Sequence, residues 1–385
     1  MNSMQTDTDI EFSSEELTRY SRHLLLPEIG IEGQRKIKNA KVLIVGVGGL
    51  GSPAAMYLSA AGIGKLGIID DDVVDRTNLH RQIIHSTRDV GKKKTESAVE
   101  TIQHLNSHTE IEIFNERLTS LNAKKIFSKF DIILDGTDNF PTRYLINDAA
   151  VLFGKPVVFG SVYRFEGQVS FFHSQTGPCY RCLYPNPPSP NSIPDCAVGG
   201  VLGVVPGIIG TIQALEAIKY ITGCGELLIG KLLLFDALRS NFEKIQFVKN
   251  PLCPLCGKEP TIHELIDYEQ FCGVSQIQLK PENEISVEEL QSKIERKENL
   301  FILDVRERNE YDFSNIGGTL IPLGELDNRI DELPKVQEIV VLCKTGIRSA
   351  RAVELLLSKK FTSVKNLIGG ISAWIERIDT TVPNY

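Results

Sequence analysis

A strand, a glycine-rich turn and a helix follow one another near the N-terminus, and this unit constrains the fold more than any other feature. The turn carries four glycines, Gly46, Gly48, Gly49 and Gly51. Glycines let the backbone turn tightly and approach a phosphate, and the N-terminus of the next helix offers free N–H groups and positive potential. The unit therefore predicts a nucleotide site at the edge of a sheet.

Predicted strands and helices alternate over the first 135 residues, which indicates a parallel sheet with helices on both faces. The predicted strands cover residues 41–45, 66–70, 111–114 and 130–135, and the predicted helices cover residues 15–39, 52–61 and 91–106. Beyond residue 157 the strands look paired and antiparallel, around a buried helix at residues 204–221. We therefore predict the α/β class, with a Rossmann-like, mainly parallel sheet that continues into antiparallel strands.

A second, smaller α/β unit is predicted at the C-terminal end. Residues 257–283 lack clear periodicity, whereas strands and helices alternate again from about residue 285. About 100 residues are enough for an independent domain. We predict a first domain over residues 1–275, a linker over residues 276–283 and a separate small α/β domain over residues 284–385.

Charge and composition indicate which kinds of partner and which cellular location to expect. The formal net charge is −7, whereas domains that bind nucleic acid usually carry a basic surface, so we expect no nucleic acid partner. The polar N-terminal residues contain no apolar stretch typical of a signal peptide, which favours a cytoplasmic protein. Residues 197–212 are apolar but too short to span a bilayer, so no membrane association is expected.

Charged residues near the glycine turn distinguish between two nucleotide chemistries. Asp70 lies 19 residues after Gly51 at a predicted strand end, where a carboxylate can hold ribose hydroxyls. The glycine turn and Asp70 alone favour a dinucleotide-dependent dehydrogenase. Arg81 and the lysines at positions 92–94 instead favour a triphosphate, because cations stabilise a departing pyrophosphate. The first two of these lysines also fit a solvated helix face.

Several motifs occur in order along residues 15–275. They are Arg19-Tyr20-Ser21-Arg22-His23, Gly46-x-Gly48-Gly49-x-Gly51, Asp70-x-Asp72, Asn78-Leu79-x-Arg81-Gln82, Lys94 and Gly136-Thr137-Asp138-Asn139. In this combination the chain resembles the MoeB/ThiF/HesA family of adenylyltransferases, which are of the ubiquitin-activating type. The resemblance implies that the nucleotide is ATP and that the enzyme is a homodimer.

The same resemblance implies a role for each matching residue. Asp70 would bind the ribose, and Asp72 would lie with it at the nucleotide. The phosphates would be contacted by Asn78, Arg81 and Lys94. Asp138 would hold Mg²⁺ near the reacting centre, although its local sequence also fits a turn-capping aspartate. Arg22 would be supplied by the other subunit of the homodimer.

Four of the eight cysteines form two C-x-x-C pairs, Cys179 with Cys182 and Cys253 with Cys256. Four thiolates suit a closed, tetrahedral Zn²⁺ site, which is structural because it leaves no position open for substrate. The 70 residues between the pairs mean that the metal would tie distant segments together. The alternative is four reduced cysteines or a redox pair.

Another cysteine, Cys196, follows a proline-rich segment at residues 184–194 that is predicted to be an irregular loop. In enzymes of the family that the chain resembles, a cysteine near this position can take an acyl group from the adenylate or link to the carrier through a persulfide. Free cysteines are also often small buried residues without a chemical role. Both interpretations stay open, and Cys196 is kept as a candidate catalytic residue.

A loop from Cys343 to Arg348 lies between a predicted strand and a predicted helix in the C-terminal domain. With the upstream motif Asp304-Val-Arg-Glu, residues 284–380 resemble a rhodanese-like domain. Backbone N–H groups and the helix N-terminus would lower the pKa of the Cys343 thiol, and Arg348 adds positive charge, so the loop can hold an anionic persulfide. A Cys–Arg phosphatase is the main alternative, but such phosphatases have five residues between the two, and this loop has four.

The two resemblances together predict a two-step reaction. ATP would adenylate the C-terminal glycine of a ubiquitin-like sulfur-carrier protein that ends in Gly-Gly. A persulfide on Cys343, loaded by a cysteine desulfurase or thiosulfate, would then attack the acyl-adenylate, and reductive release through Cys196 would leave a thiocarboxylate. The predicted pathway is molybdopterin synthesis, with carriers for thiamine, cysteine or tRNA thiolation as alternatives. A nicotinamide-dependent oxidoreductase and a non-catalytic scaffold are the other functions considered.

Overall fold

The computed structural model describes residues 11–188, 200–272 and 279–383. Contacts between residues divide the chain into two compact units, Met1–Val274 and Ser275–Tyr385. Both units combine strands with helices, as the alternating pattern of the sequence predicts.

One eight-stranded sheet forms the centre of the first unit. In chain order its strands are β1 (Lys41–Val45), β2 (Lys65–Ile69), β3 (Glu110–Phe114), β4 (Ile132–Asp135), β5 (Val157–Tyr163), β6 (Glu166–Phe172), β7 (Lys231–Asp236) and β8 (Asn241–Gln246). They lie in the order β3-β2-β1-β4-β5-β6-β7-β8. The pairs from β3 to β5 are parallel and the pairs from β5 to β8 are antiparallel. The predicted sheet, parallel first and antiparallel afterwards, is confirmed.

The central strands are apolar because both of their faces are covered. In β1, residues 42–45 are all buried, and a continuous apolar run is typical of a strand between two layers of helices. The ends of three strands meet at one edge, since Val45 of β1 is in register with Ile69 of β2 and Asp135 of β4. The loops that follow these strands therefore converge, and they carry most of the predicted nucleotide-binding residues.

Helices pack on both faces of this sheet. Those in the described part of the unit are α1 (Ser14–Arg19), α2 (Ser21–Leu24), α3 (Gly30–Asn39), α4 (Gly51–Ala60), α5 (Lys94–Leu105), α6 (Ala123–Phe127), α7 (Phe140–Leu152), α8 (Tyr180–Leu183), α9 (Val204–Thr222) and α10 (Tyr268–Phe271). By length and composition α9 could cross a membrane. Here it packs against α4, β5 and β6, with Val205 and Ile209 in the apolar core, and this position accounts for its composition.

Two predicted helices are shorter or more broken than expected, because the backbone turns within them. The predicted helix over residues 15–39 is three helices, and the last of them begins at Gly30, whose φ is 54°. The predicted helix over residues 91–106 begins only at Lys94, because Gly91 has a φ of 88°, which a right-handed helix does not allow.

Part of the segment without clear periodicity packs into the first unit. Tyr268 of α10 is buried and donates its hydroxyl to Asp148 of α7 at 2.9 Å, and Cys272 is buried beside them. Residues 257–272, which lack clear periodicity, are therefore held to the first unit by isolated buried residues such as Tyr268. The end of the predicted linker lies on the second unit, where the Asn283 side chain donates to the backbone of that unit.

A five-stranded parallel sheet forms the second unit. Its strands are β9 (Glu284–Ile285), β10 (Leu300–Asp304), β11 (Thr319–Leu320), β12 (Glu338–Leu342) and β13 (Val364–Leu367), in the order β11-β10-β12-β13-β9. Its α-helices, over the described residues, are α11 (Val287–Glu295), α12 (Arg308–Phe313), α13 (Ile347–Ser358) and α14 (Gly370–Arg377). The predicted class of this unit, a separate small α/β domain, is confirmed.

Candidate active sites and metal centre

The glycine turn after β1 packs tightly against the turn after β4. Gly46 has a φ of 86°, and a Cβ on Gly51 would lie 2.0 Å from the Gly46 carbonyl oxygen. A Cβ on Gly136 would lie 2.5 Å from the same oxygen. Added Cβ atoms on Gly48 and Gly49 would meet neighbouring side chains at 3.3 Å and 3.2 Å. At the start of α4 the Ser52 N–H donates to the Gly48 carbonyl oxygen at 2.9 Å and Pro53 has no N–H. Phosphate binding therefore falls to the backbone of the glycine turn and to the positive end of the helix dipole.

Asp70 follows β2 and is bonded to the glycine turn. Its carboxylate accepts hydrogen bonds from the backbone N–H groups of Val47, at 2.9 Å, and Asp72, at 3.0 Å. Burial raises the pKa of Asp70, and the nearby ammonium group of Lys94 offsets part of this effect. Each carboxylate oxygen has a further lone pair, so Asp70 can also accept hydrogen bonds from ribose hydroxyls.

Two cations near the turn are each oriented by a neighbouring polar side chain. Lys94 is 5% exposed, and its Nζ lies 2.6 Å from Oδ2 of Asp72. Arg81 donates from Nη2 to Oδ1 of Asn78 at 2.6 Å, and its Cγ lies 3.6 Å from the position of a Cβ on Gly49. These contacts hold both cations beside the turn, where a polyphosphate would compete with the two oxygens for them.

Asp138 follows β4 and is exposed, and its carboxylate has no bonded partner among residues 11–188, 200–272 and 279–383. Neighbouring side chains perform the turn-capping role that its sequence also allows. Asp135 accepts from the Thr137 N–H at 3.0 Å, and Asn139 accepts from the Thr142 N–H at 3.0 Å. The Asp138 carboxylate is therefore accessible at the carboxyl end of the sheet, and oxygen ligands of this kind suit Mg²⁺.

A buried ion pair beneath this turn was not predicted. Arg143 of α7 pairs with Asp135 at 3.2 Å and donates to the Thr137 carbonyl oxygen at 3.0 Å. Burial disfavours the charged form of Arg143, but interactions with Asp135 and Tyr180 together outweigh burial, so the pKa of Arg143 is raised. The signal in the sequence was the presence of two charged residues, Arg143 and Asp148, in a helix of mainly apolar residues.

A second residue that sequence reasoning missed is His85. Its Nε2 lies 3.2 Å from the Val47 carbonyl oxygen in the glycine turn, and its Nδ1 lies 2.9 Å from Oγ of Ser97. Burial lowers the pKa of His85 to about 4, so the ring is neutral at physiological pH. A single histidine carries no periodic signal, and nothing in the sequence indicated that it contacts the turn.

Other predicted cations lie on the surface of the first unit. Arg22 is on α2 and is exposed, with no bonded partner in the part of the chain that the structure describes. Lys92 forms ion pairs with Asp89 at 3.2 Å and Glu100 at 3.1 Å. Lys93 donates to a backbone carbonyl oxygen. The contacts of Lys92 and Lys93 favour the alternative of a solvated surface over phosphate binding.

The thiols of the two C-x-x-C pairs lie together. The Sγ atoms of Cys179, Cys182, Cys253 and Cys256 all lie within 4.8 Å of one another, with separations of 3.4, 3.7 and 3.9 Å for three of the pairs. Sulfurs that bind one tetrahedral zinc ion at about 2.3 Å would be about 3.8 Å apart, so the group fits Zn²⁺. Hydrogen bonds among the four thiols lower the pKa of Cys182 and Cys253 and raise the pKa of Cys179 and Cys256.

A buried ion pair links the cysteine cluster to α7. Arg181 lies between two of the cysteines, and its Nη2 is 2.7 Å from Oδ2 of Asp148 on α7. The hydroxyl of Tyr268 donates to the same carboxylate. The cysteine cluster, α7 and α10 are therefore joined at one buried carboxylate, although they are distant in the sequence.

Cys343 follows β12, and its thiol is surrounded by hydrogen-bond donors. The residue is 1% exposed, and its Sγ accepts from the Gly346 N–H at 3.1 Å and from the Ser349 hydroxyl at 3.3 Å. Helix α13 begins directly after Gly346. Hydrogen-bond donors and a helix N-terminus at one sulfur are suited to stabilise a sulfur anion.

Arg348 belongs to an ion pair within this loop. Its guanidinium group donates two hydrogen bonds, both of 2.7 Å, to the carboxylate of Glu310 on α12. The charge of Arg348 is therefore balanced by a carboxylate that the sequence analysis did not identify. Glu310 is buried, and buried carboxylates generally have such a partner.

The sequence also singled out Cys196 and the proline-rich segment. Residues 184–188 contain neither helix nor strand, in agreement with a predicted irregular loop. The rest of that segment and Cys196 lie outside the described residues.

Comparison with protein families assigns both units. Residues 20–255 match the ThiF family, and residues 286–377 match the rhodanese-like domain. The chain therefore belongs to the ThiF family and carries a C-terminal rhodanese-like domain.

Similar proteins agree with this assignment over nearly the whole chain. The "Probable adenylyltransferase/sulfurtransferase MoeZ" of Mycobacterium tuberculosis is 45% identical over 383 residues, which cover 97% of this chain and 96% of that protein. The "Adenylyltransferase and sulfurtransferase MOCS3" of Drosophila ananassae is 43% identical over 392 residues, which cover 97% of this chain and 87% of that protein. These relatives confirm the predicted class of enzyme, an adenylyltransferase with sulfurtransferase activity.

A solved structure supports the fold of the first unit. The crystal structure of E. coli MccB with ATP has a TM-score of 0.52 and is 25% identical, and the match covers 62% of this chain and 74% of that one.

Proposed function

We propose that this enzyme joins AMP to the C-terminal glycine of a ubiquitin-like sulfur-carrier protein that ends in Gly-Gly, and then replaces the AMP with sulfur. The observation that carries the proposal is the grouping of Arg81, Lys94 and the accessible Asp138 around one glycine turn. A turn that serves only a dinucleotide needs fewer cations. MoeZ and MOCS3 are named for both activities, and MccB was crystallised with ATP.

The adenylation step requires a carboxylate to attack an α-phosphate that is itself negative. In this proposal Asp70 holds the ribose, and the amides of the turn with Asn78, Arg81 and Lys94 bind the phosphates and reduce the repulsion. Asp138 would hold Mg²⁺, which when bound neutralises phosphate charge and stabilises the leaving pyrophosphate. Arg22 would come from the other subunit of a homodimer.

The sulfur step uses the anionic sulfur that the Cys343 loop is suited to hold. The terminal sulfur of a Cys343 persulfide attacks the carbonyl carbon of the acyl-adenylate, and AMP leaves with the electron pair of the broken C–O bond. A thiolate then attacks the Cys343 sulfur of the acyl persulfide, which releases the thiocarboxylate and leaves a disulfide for a cellular thiol to reduce. Cys196 is our candidate for this thiolate.

The remaining assignments follow from the same proposal. Cys179, Cys182, Cys253 and Cys256 would hold a structural Zn²⁺. A cysteine desulfurase or thiosulfate would load Cys343. We place the enzyme in the cytoplasm, without a nucleic acid or membrane partner, and assign it to molybdopterin synthesis, where its product would be the thiocarboxylate of the synthase's small carrier subunit.

The test is mass spectrometry of the carrier C-terminus. Purified enzyme, ATP, magnesium, cysteine and a desulfurase would be incubated separately with Gly-Gly carriers of the molybdopterin, thiamine, cysteine and tRNA-thiolation types. We expect the molybdopterin carrier to be converted to the thiocarboxylate, and a C343A variant to stop at the acyl-adenylate. Conversion of another carrier would change the pathway, and carriers that all keep a free carboxylate would refute the proposal.

A further inference from the structure

The backbone of Val47, within the glycine turn, is bonded through both its N–H and its carbonyl oxygen. Its N–H donates to Oδ2 of Asp70 at 2.9 Å, and its carbonyl oxygen lies 3.2 Å from Nε2 of His85. The Ser52 hydroxyl makes a longer contact of 3.4 Å with the same carbonyl oxygen. The turn that is suited to bind phosphate is therefore held by side chains from the residue after β2, from α4 and from the segment of His85.

His85 also reaches the helix that carries Lys94. Its Nδ1 lies 2.9 Å from Oγ of Ser97, and Ser97 is three residues after Lys94, on the same face of α5. His85 and Ser97 are 6% and 1% exposed, so water does not replace these contacts. A carbonyl oxygen only accepts, so Nε2 carries the ring proton and donates to Val47, and Nδ1 accepts from the Ser97 hydroxyl.

We propose that His85 is a positioning residue for ATP, which fixes the glycine turn relative to the helix that carries Lys94. The turn amides and the Lys94 ammonium group can then bind the same polyphosphate without reorganisation. This inference rests on the proposed function, because it takes ATP as the ligand. His85 acts through the turn and through α5, and it touches no reacting atom.

The neutral ring suits this role over the physiological pH range. Burial lowers the pKa of His85 to about 4, the Lys94 charge lowers it further, and the Val47 hydrogen bond and the Asp89 charge oppose them in part. The histidine therefore keeps its single donor and single acceptor at neutral pH, and its contribution should not change between about pH 6 and pH 8.

The test compares H85F with H85Q in the full-length protein. Phenylalanine keeps the ring volume without hydrogen bonds, whereas the glutamine amide can still donate to Val47. For H85F we expect the Kd of a non-hydrolysable ATP analogue and the KM for ATP to rise about three- to tenfold, with kcat changed less than about twofold, because a binding contact common to ground and transition states is lost. H85Q should recover most of the affinity.

A matched control separates positioning from general destabilisation. I102V removes one methylene from the buried core side of α5 without touching His85, and it should lower Tm while leaving the Kd for the analogue unchanged. S97A should raise that Kd about twofold in the wild-type background and should have no further effect in H85F, because the two residues act through one chain of hydrogen bonds.

Histidine-selective ¹⁵N spectra give a readout of the tautomer itself. The chain has seven histidines, so the resonance of His85 can be assigned by comparison with H85Q. We expect the Nε2–H form at pH 7. The inference is overturned if the ring proton is on Nδ1 or if H85F binds the analogue as tightly as the wild type does. It is also overturned if I102V loses as much Tm as H85F and weakens binding of the analogue to the same extent.

The variants also distinguish this inference from the function on which it rests. If H85F does not fold, H85Q and S97A still decide the question. The Kd of S97A is expected to exceed the wild-type value, and the Kd of H85Q is expected to lie near the wild-type value. A wild-type protein that binds the analogue while all three variants bind equally well would refute only the role of His85. A wild-type protein that does not bind the analogue would refute the proposed function and the inference together.

Discussion

The glycine turn of the first unit and the cysteine loop of the second both follow a buried parallel strand and lead into a helix, yet they are built for different anions. In the first, side chains from separate segments hold the turn, since Asp70 and His85 both bond to Val47. In the second, donors from the loop and the start of its helix, Gly346 and Ser349, bond to the sulfur of that loop.

The difference shows what each ligand requires. A polyphosphate comes from solution and carries several charges, so its site needs cations from distant parts of the chain, such as Arg81 and Lys94. A persulfide is attached to Cys343 and carries a single charge, so nearby donors are enough, and Arg348 is paired with Glu310. A substitution at one site should therefore leave the activity of the other site unchanged. Activity at the first site should depend on many residues, whereas sulfur transfer at the second site should depend mainly on Cys343.

The largest effect is expected for C343A. Removal of the nucleophile should reduce sulfur transfer at least about a thousandfold, because no other group in the loop can carry the sulfur. Pyrophosphate exchange into ATP should stay within about twofold of the wild-type rate, since the first site is complete without this thiol. A parallel loss of both activities in C343A would contradict the independence of the two sites.

R81A should have the reverse effect. Loss of a cation at the phosphates is expected to lower carrier-dependent pyrophosphate exchange about a hundred- to a thousandfold. Transfer of sulfur from a donor to Cys343 should be unchanged in the same preparation. K93A, which removes a lysine that donates to a backbone carbonyl oxygen, is the matched control and should retain exchange within about threefold.

C253S should remove the metal and destabilise the first unit. Loss of one thiolate is expected to lower its free energy of unfolding by several kcal/mol, a fraction of the roughly 10–16 kcal/mol that binding of a structural zinc ion releases. Zinc content would be measured by atomic emission and unfolding by calorimetry. C224S changes a thiol outside the cluster and should keep one zinc ion per chain, whereas full zinc content in C253S would exclude this ligand set.

E310Q tests the ion pair of the cysteine loop. Arg348 would keep hydrogen bonds to an amide but lose its balancing charge, so the second unit should be destabilised by about 1–3 kcal/mol. The donors to the sulfur come from Gly346 and Ser349. Sulfur transfer, measured below the unfolding temperature of the variant, should therefore fall less than about tenfold. The exposed Asp312 on the same helix provides the control D312N, and a thousandfold loss of transfer in E310Q alone would give Glu310 a chemical role.

An effect on stability of similar size, with no loss of chemistry, is expected from D89N, which tests the ion pair between Asp89 and Lys92 in the first unit. Hydrogen bonds and the Lys92 charge outweigh burial and lower the pKa of Asp89 to about 2. Because this value lies below that of the unfolded chain, the carboxylate stabilises the fold above about pH 4 and loses its contribution as the pH falls towards about 2. D89N should cost about 2 kcal/mol at pH 7, and its difference from the wild type should shrink below about pH 4.

Denaturation of D89N and of D71N, a change at an exposed aspartate, would be compared between pH 7 and pH 3. D71N should differ from the wild type by less than about 0.5 kcal/mol at every pH. A D89N difference that stays constant down to pH 3 would show that the carboxylate does not titrate with the lowered pKa.

The bounds of a strand could be predicted closely where the strand is buried on both faces. The predicted strand over residues 41–45 has these bounds in the structure, because residues 42–45 are apolar and are covered on both faces of the sheet. Helix bounds were less accurate. Gly30 and Gly91 interrupt regular backbone, and a periodic pattern does not show where a residue with positive φ will stop a helix.

At the sites, the motifs predicted which residues surround the glycine turn and the cysteine, but not their supporting contacts. The pairs formed by Arg143, Arg181 and Arg348 join residues that are up to 38 positions apart, and His85 reaches Val47 over the same distance. Such contacts depend on how helices and loops pack, which local sequence does not encode. The position of Tyr268 against α7 was missed for the same reason.

Carrier-dependent exchange of labelled pyrophosphate into ATP tests the central claim most directly. With magnesium and the carrier whose C-terminus is converted, the wild-type enzyme should return label to ATP rapidly. A carrier that lacks its final glycine should abolish the exchange. Exchange that proceeds equally well without a carrier, or none with any Gly-Gly carrier, would contradict the claim that the first site activates a protein carboxylate.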